Sequence, residues 1–506
     1  MTAAPHSRKW TILGAVIVLA GIALRVRLFV SEISLRLDEC SLALNILSRS
    51  LADLMKPLDY AQGAPLLFLW VQRLVLAASH STSELALRLV PVLSGSAACA
   101  GFWLLCRRLR LSTAGTLCAT GVFCFSPLLI DYSNQAKQYS TDLFMAIAIY
   151  LAALRFFEDA SRRNTLVYAA VGVLAVGISY PSVFVLAGVG TVGLIDAWRR
   201  QDRRGLALQF AVASVWAAGF VLNFAFFLRH LTHIPGMLGY WQRNYWAFMP
   251  LSSLTPAWLL QAAIKVGSMT GYKASYVLPL VLIGGAMLLR RDWRTAAMLW
   301  IPAMLAVLAS AGERYPFAER MILFLVPAVL VTAGASLEAR LPLLRWKLQP
   351  VLMVLFCWML FVSVRRAAAP LVDTEQFARE DFRSAFLAAA GDARCQDRIL
   401  VYERAANHYR YYSRFRWNRR YPAAIVTAAQ LAGDAFARKH DFWIHFAAVS
   451  DGDVAAFRDP PCFWLVFAHT SDREIAALVK PLVARGYREV GALRRTGAGA
   501  RLFALP

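Results

Sequence analysis

Long apolar blocks fill the first 365 positions of the chain, and beyond them the pattern shortens and becomes polar. A helix rises 1.5 Å per residue, so about 20 apolar residues cross the roughly 30 Å hydrocarbon layer of a bilayer. WTILGAVIVLAGIAL, from residue 10, is the first such block; with no small-residue cleavage site after it, it reads as a retained helix. Basic clusters punctuate the blocks at Arg8/Lys9, Arg107/Arg108/Arg110, Arg162/Arg163, Arg199/Arg200/Arg203/Arg204, Arg290/Arg291/Arg294 and Arg340/Arg345/Lys347. Placing every cluster in the cytoplasm predicts eleven spans, near 10–30, 86–106, 113–130, 140–157, 164–180, 182–197, 206–228, 275–290, 295–311, 320–337 and 348–364. The N-terminus is then inside and the C-terminus outside.

One apolar run falls outside this scheme. APLLFLWVQRLVLAA, residues 64–78, carries Arg73 in mid-run, costly at bilayer depth, and counting it would turn every later basic cluster outward. It reads as a helix lying on or dipping into the outer surface. Arg25 and Arg27, near the outer end of the first span, are expected to snorkel to the interface.

Composition agrees with a membrane protein. The 506 residues are 58% hydrophobic and 17% charged, against about a quarter charged in soluble domains, and mean hydropathy is +0.50. The net charge of +23 resides largely in loop arginines that act as orientation signals, so nucleic acid is not an expected partner. The eight cysteines form no C-x-x-C pair or metal-ligand spacing.

This threading gives the outer face residues 31–85, DYSNQAKQYS, residues 229–274, the AGERYPFAER loop and everything past 365. LRLDECSLALNI (35–46) then sets Asp38 and Glu39 at the outer end of the first span. With this pair in LDEC, PLDYAQGAPLLFLW (57–70), SELALRLVPVLSG (83–95), SNQAKQYSTD (133–142) and RYPFAERMILFLVP (314–327) follow in order. This ordered set resembles the GT-C glycosyltransferases, most closely the protein O-mannosyltransferase and aminoarabinose-transferase type (family 39), which use polyprenyl-phosphate sugars. The resemblance implies a polytopic α-helical GT-C fold over 1–365, with a long first exoplasmic loop.

The same resemblance implies the chemistry. A sugar on a polyprenyl phosphate passes to an acceptor hydroxyl, which needs a carboxylate to take the hydroxyl proton and cations for the charge developing on the leaving phosphate. Asp38 is the expected base, with Glu39 orienting it or sharing a metal. Arg320 is the leading donor-phosphate residue, followed by Lys137, Lys56, Arg314 and Lys273. Asp131, Gln135, Tyr139 and Gln62 are expected at the substrate. Gln135 stands where the family offers Glu, which weakens a two-acid metal site. No cofactor is assigned; a divalent metal, with Asp38 as a ligand, stays open. YWQRNYWAFMP (240–250) is aromatic enough to stack on a sugar or to form an interfacial belt. The expected partners are the bilayer, a polyprenyl-phosphate-sugar donor and an acceptor (lipid, glycan or protein), and the expected setting is a bacterial inner membrane.

Residues 366–506 read as a small exoplasmic (periplasmic) α/β domain. Strands are expected at DRILVYE (397–403), DFWIHFAAV (441–449) and CFWLVFAHT (462–470), and helices at AANHYRYYSRF and SDREIAALVKPLVARG. A closing hairpin is expected in YREVGALRRTGAGARLFAL, turning at Gly-Ala-Gly. Cys395 and Cys462 each precede a strand; if those strands are parallel neighbours, the two thiols meet and can form a disulfide. A transporter or flippase of lipid-linked glycans is the alternative function, although no inverted repeat or matched pair of broken helices is visible.

Overall fold

The computed structural model of the chain describes residues 8–229, 237–338, 345–372, 379–395, 398–417, 421, 423–427, 430–431 and 460–506. The chain separates into two compact units. One comprises Met1–Leu28, Ala64–Leu69 and Leu89–Leu371; the other comprises Phe29–Gly63, Trp70–Arg88 and Val372–Pro506. The first loop, with its acidic pair, thus belongs to the same unit as the C-terminal residues.

The larger unit is helical. Among the described residues nine helices are long and apolar enough to cross a membrane: Arg8–Phe29, Glu84–Arg108, Tyr139–Glu158, Ser182–Arg199, Arg203–Leu228, Ala274–Arg291, Trp293–Ala311, Glu319–Glu338 and Pro350–Ala368. The helices Thr113–Phe125 and Pro127–Ser133 meet at 53°; counted together as one broken span, they make a tenth. The eleventh expected span corresponds to the helix Arg162–Ile178, which at 17 residues is shorter than every one of these nine helices, so the described residues give nine or ten crossings where eleven were expected. The run set aside above forms the helix Leu66–Ser79, whose 14 residues reach only about 21 Å.

The broken span has a local cause. Pro127 has no N–H with which to continue the helix; it sits at the first position of the next one, where Ser126 Oγ accepts from Leu129 N. The break leaves carbonyls without helical donors, and Arg25 supplies one. Instead of snorkelling outward, Arg25 is 1% exposed. It donates to Cys124 O at 2.8 Å, to Gly21 O at 2.9 Å and to Ser133 Oγ at 3.2 Å. Gly21 permits this approach: a Cβ there would lie 2.6 Å from Cys124 Cβ. Arg27 is exposed, as expected.

The second unit contains a five-stranded sheet of β1 (Ile399–Tyr402), β2 (Ala423–Val426), β3 (Cys462–Ala468), β4 (Arg488–Arg495) and β5 (Ala498–Ala504), in the order β2-β1-β3-β5-β4. β1 runs parallel to β2 and β3, while β5 is antiparallel to β3 and β4. Because β1 and β3 are parallel neighbours, Cys395 and Cys462 meet and are joined as a disulfide. The helix Asp472–Ala484 buries Ile475, Leu478 and Leu482 with Phe463, Leu465 and Phe503 of the sheet. The hairpin turns at Thr496-Gly497, one step before the expected Gly-Ala-Gly. Gly497 takes φ 63°, open to glycine at little cost, and a Cβ there would collide with the Arg379 carbonyl. The strand expected at 441–449 lies outside the described residues.

Candidate functional site

In the second unit the chain enters the helix Leu37–Ser48 through an extended segment whose backbone is held by side chains. Arg383 donates to Glu32 O at 2.7 Å, and Arg88 to Ile33 O at 2.6 Å and Ser34 O at 3.3 Å. Leu35 N donates to Tyr412 Oη at 3.0 Å, Arg36 N to Glu39 Oε2 at 3.1 Å and Leu37 N to Glu380 Oε2 at 2.6 Å. The first amides of a helix have no partner within it; here carboxylates take two donors at the helix start, an arrangement the helix dipole favours.

Glu39 is fully buried and pairs with Arg88, itself 5% exposed, at 3.1 Å. Such a pair is weak evidence for net stability, but losing one partner strands a buried charge. Glu84, also fully buried, binds Arg383 at 2.8 Å and Arg416 at 2.7 Å. Asp38 follows Leu37 in the first turn and is half-buried. Glu39 therefore fixes the loop, and Asp38 is the acid of the pair that keeps access to solvent.

Glu380 lies between two histidines: Oε2 is 3.0 Å from His408 Nε2, and Oε1 is 2.7 Å from His469 Nδ1. Burial pushes its carboxyl upward, but the histidine hydrogen bonds and charges outweigh this and hold it well below the usual carboxylate range. Burial would lower His469, yet the hydrogen bond and charge of Glu380 raise it above 6.5, with a further upward contribution from Asp38. Gln62 is buried and donates to Tyr60 O at 3.1 Å, and Lys56 is an exposed partner of Asp53 at 2.8 Å.

In the membrane unit a second group gathers around the bent span. Asp131, Gln135, Lys137 and Tyr139 are all buried, and Gln135 Nε2 donates to Asp131 Oδ2 at 3.2 Å. Arg320 is half-buried, its guanidinium 5.5 Å from the Tyr139 ring and 5.6 Å from that of Trp241. The expected phosphate arginine, the expected substrate tyrosine and a tryptophan of the aromatic loop thus come together. Arg314 and Lys273 are exposed. Among the described residues no three His, Cys, Asp or Glu gather in a metal-binding arrangement.

Sequence reasoning passed over Arg88, Glu380, His408 and His469. Arg88 carried a signal, as an arginine one turn into a membrane helix that needs an anion. The other three lie far along the chain and carried none.

No family model and no curated protein matches the sequence. Solved structures do match. The structure of ArnT from Cupriavidus metallidurans bound to undecaprenyl phosphate superposes with a TM-score of 0.54 at 15% identity, over 98% of each chain. Its apo state gives 0.52 over the same shares. The oligosaccharyltransferase of Archaeoglobus fulgidus, in complex with zinc and sulfate, gives 0.51 at 12% identity over 96% of this chain and 72% of that one. The chain is thus a multi-pass membrane protein with the GT-C fold.

Proposed function

We propose that the protein is a membrane glycosyltransferase that moves a sugar from a polyprenyl-phosphate donor to an acceptor hydroxyl at the exoplasmic face of a bacterial inner membrane. The observation that carries this reading is the placement of Asp38, a half-exposed carboxylate in the first turn of a helix, beside a glutamate already engaged by Arg88. The likeness to ArnT bound to undecaprenyl phosphate supports the donor class.

Asp38 accepts the acceptor's hydroxyl proton as that oxygen bonds to the anomeric carbon. The bond from that carbon to the phosphate oxygen breaks, and polyprenyl phosphate leaves with the electron pair. Attack opposite the leaving group inverts the anomeric centre. In the membrane unit, Arg320 and Lys137 are the candidates for the donor's phosphate charge, and Tyr139 and Trp241 for its aromatic contacts.

The test compares wild type with Asp38→Asn in membranes supplied with radiolabelled polyprenyl-phosphate sugars. Transfer should fall about 10²- to 10⁴-fold, the usual contribution of general base catalysis, with donor binding retained. Equal transfer by both proteins would remove Asp38 from the chemistry, while label crossing the bilayer without reaching an acceptor would favour a flippase.

A further inference from the structure

The backbone is anchored from residue 32 to residue 37, and its last anchor is the one nearest Asp38. Glu380 Oε2 accepts the Leu37 amide at 2.6 Å, one residue before that acid. The same carboxylate is gripped from its other sides by His408 at 3.0 Å and His469 at 2.7 Å. Charge-assisted bonds of this kind are shorter and stronger than neutral ones. His408 is fully buried, so its hold on Glu380 is shielded from water. His469 stands just past β3 with φ 54°, a left-handed backbone uncommon for a non-glycine residue and tolerated only where its surroundings fix it. The charged groups acting on His469 include Glu380, Arg404 and Asp38; Arg404 is itself paired with Glu474 at 2.8 Å.

We infer that Glu380 is a positioning residue for Asp38: braced by His408 and His469, it caps the Leu37 amide and fixes the first turn from which Asp38 projects. The catalytic part of this inference rests on the proposed transferase reading; the anchoring part does not. Small displacements of a catalytic group cost rate steeply, so loss of the cap is felt in turnover and not in donor binding.

Glu380→Gln and Glu380→Ala separate position from charge. A glutamine carbonyl in place of Oε2 accepts from Leu37 N and from His408, and its amide donates to an unprotonated His469 Nδ1. Alanine removes all three bonds. Each variant of the full-length protein, purified in detergent, is followed by hydrogen–deuterium exchange of the peptide covering residues 33–44 and by kcat and KM for donor. Cys462→Ser, which lowers the stability of the same unit without touching Leu37, is the control for general loosening.

The expected result for Glu380→Ala is at least tenfold faster exchange at Leu37–Cys40, with kcat down at least tenfold and KM for donor unchanged. Glu380→Gln recovers most of both. Cys462→Ser lowers the melting temperature but, well below it, leaves protection and kcat intact. Unchanged protection in Glu380→Ala overturns the anchor. Lost protection with unchanged kcat overturns its role in turnover. If wild type transfers no sugar while Glu380→Ala still loses protection, the anchor stands and the transferase reading fails.

Discussion

Arg320 shares its surroundings with two aromatic rings, Tyr139 and Trp241. A guanidinium stacks flat on such rings and still offers a fork of donors to phosphate; an ammonium does neither as well. Arg320→Lys should therefore keep the charge but lose about tenfold in kcat/KM for donor, and Arg320→Ala should lose more. Titrating the donor against both variants checks this, and wild-type kcat/KM in both would take Arg320 away from the donor. Glu380 and His469 give a second expectation at this scale. Glu380 is held below its ordinary 4.5, so its contribution to stability is present above that pH and fades as pH falls through the folded value. His469 is raised above 6.5, so its contribution is complete below 6.5 and is lost as pH rises through the folded value. The melting-temperature difference between wild type and His469→Leu should peak between pH 4.5 and 6.5 and narrow on the alkaline side. A difference that goes on growing above pH 6.5 would contradict the assignment.

Among the elements, the disulfide and the helix break show what patterning can and cannot reveal. Cys395 and Cys462 bracket a sequence separation of 67 residues, and closing a loop of that length restricts the unfolded chain by roughly 4 kcal/mol on an entropic account. Cys462→Ser should lower the melting temperature of its unit clearly, and reductant should do the same to wild type; no shift in either would count against the bond. Spacing before two strands was enough to suggest this pair, because parallel neighbours bring their N-terminal ends together. The spans were legible because hydrocarbon demands length and apolarity, which are local properties. β2, Ala423–Val426, was not legible, being a four-residue apolar stretch with no alternation to mark it. Arg25 was misjudged for a related reason. Its need for solvent was visible, but the Cys124 carbonyl, freed about a hundred residues away where the helix ends at Phe125, was not.

At the scale of the molecule, the GT-C fold was legible as an ordered series of weak motifs, while the surroundings of the acidic pair were only half legible. Asp38 and Glu39 were adjacent candidates in sequence. Their separation into an accessible acid and a buried strut depends on Arg88, and the capping of their helix depends on Glu380, more than three hundred residues downstream. The most direct test is reconstitution of the purified protein in liposomes with labelled undecaprenyl-phosphate sugars and an acceptor extract. Label should pass to an acceptor and free undecaprenyl phosphate should appear in equal amount, both abolished by Asp38→Asn. Intact donor recovered on the opposite leaflet, with no phosphate released, would contradict the transferase reading.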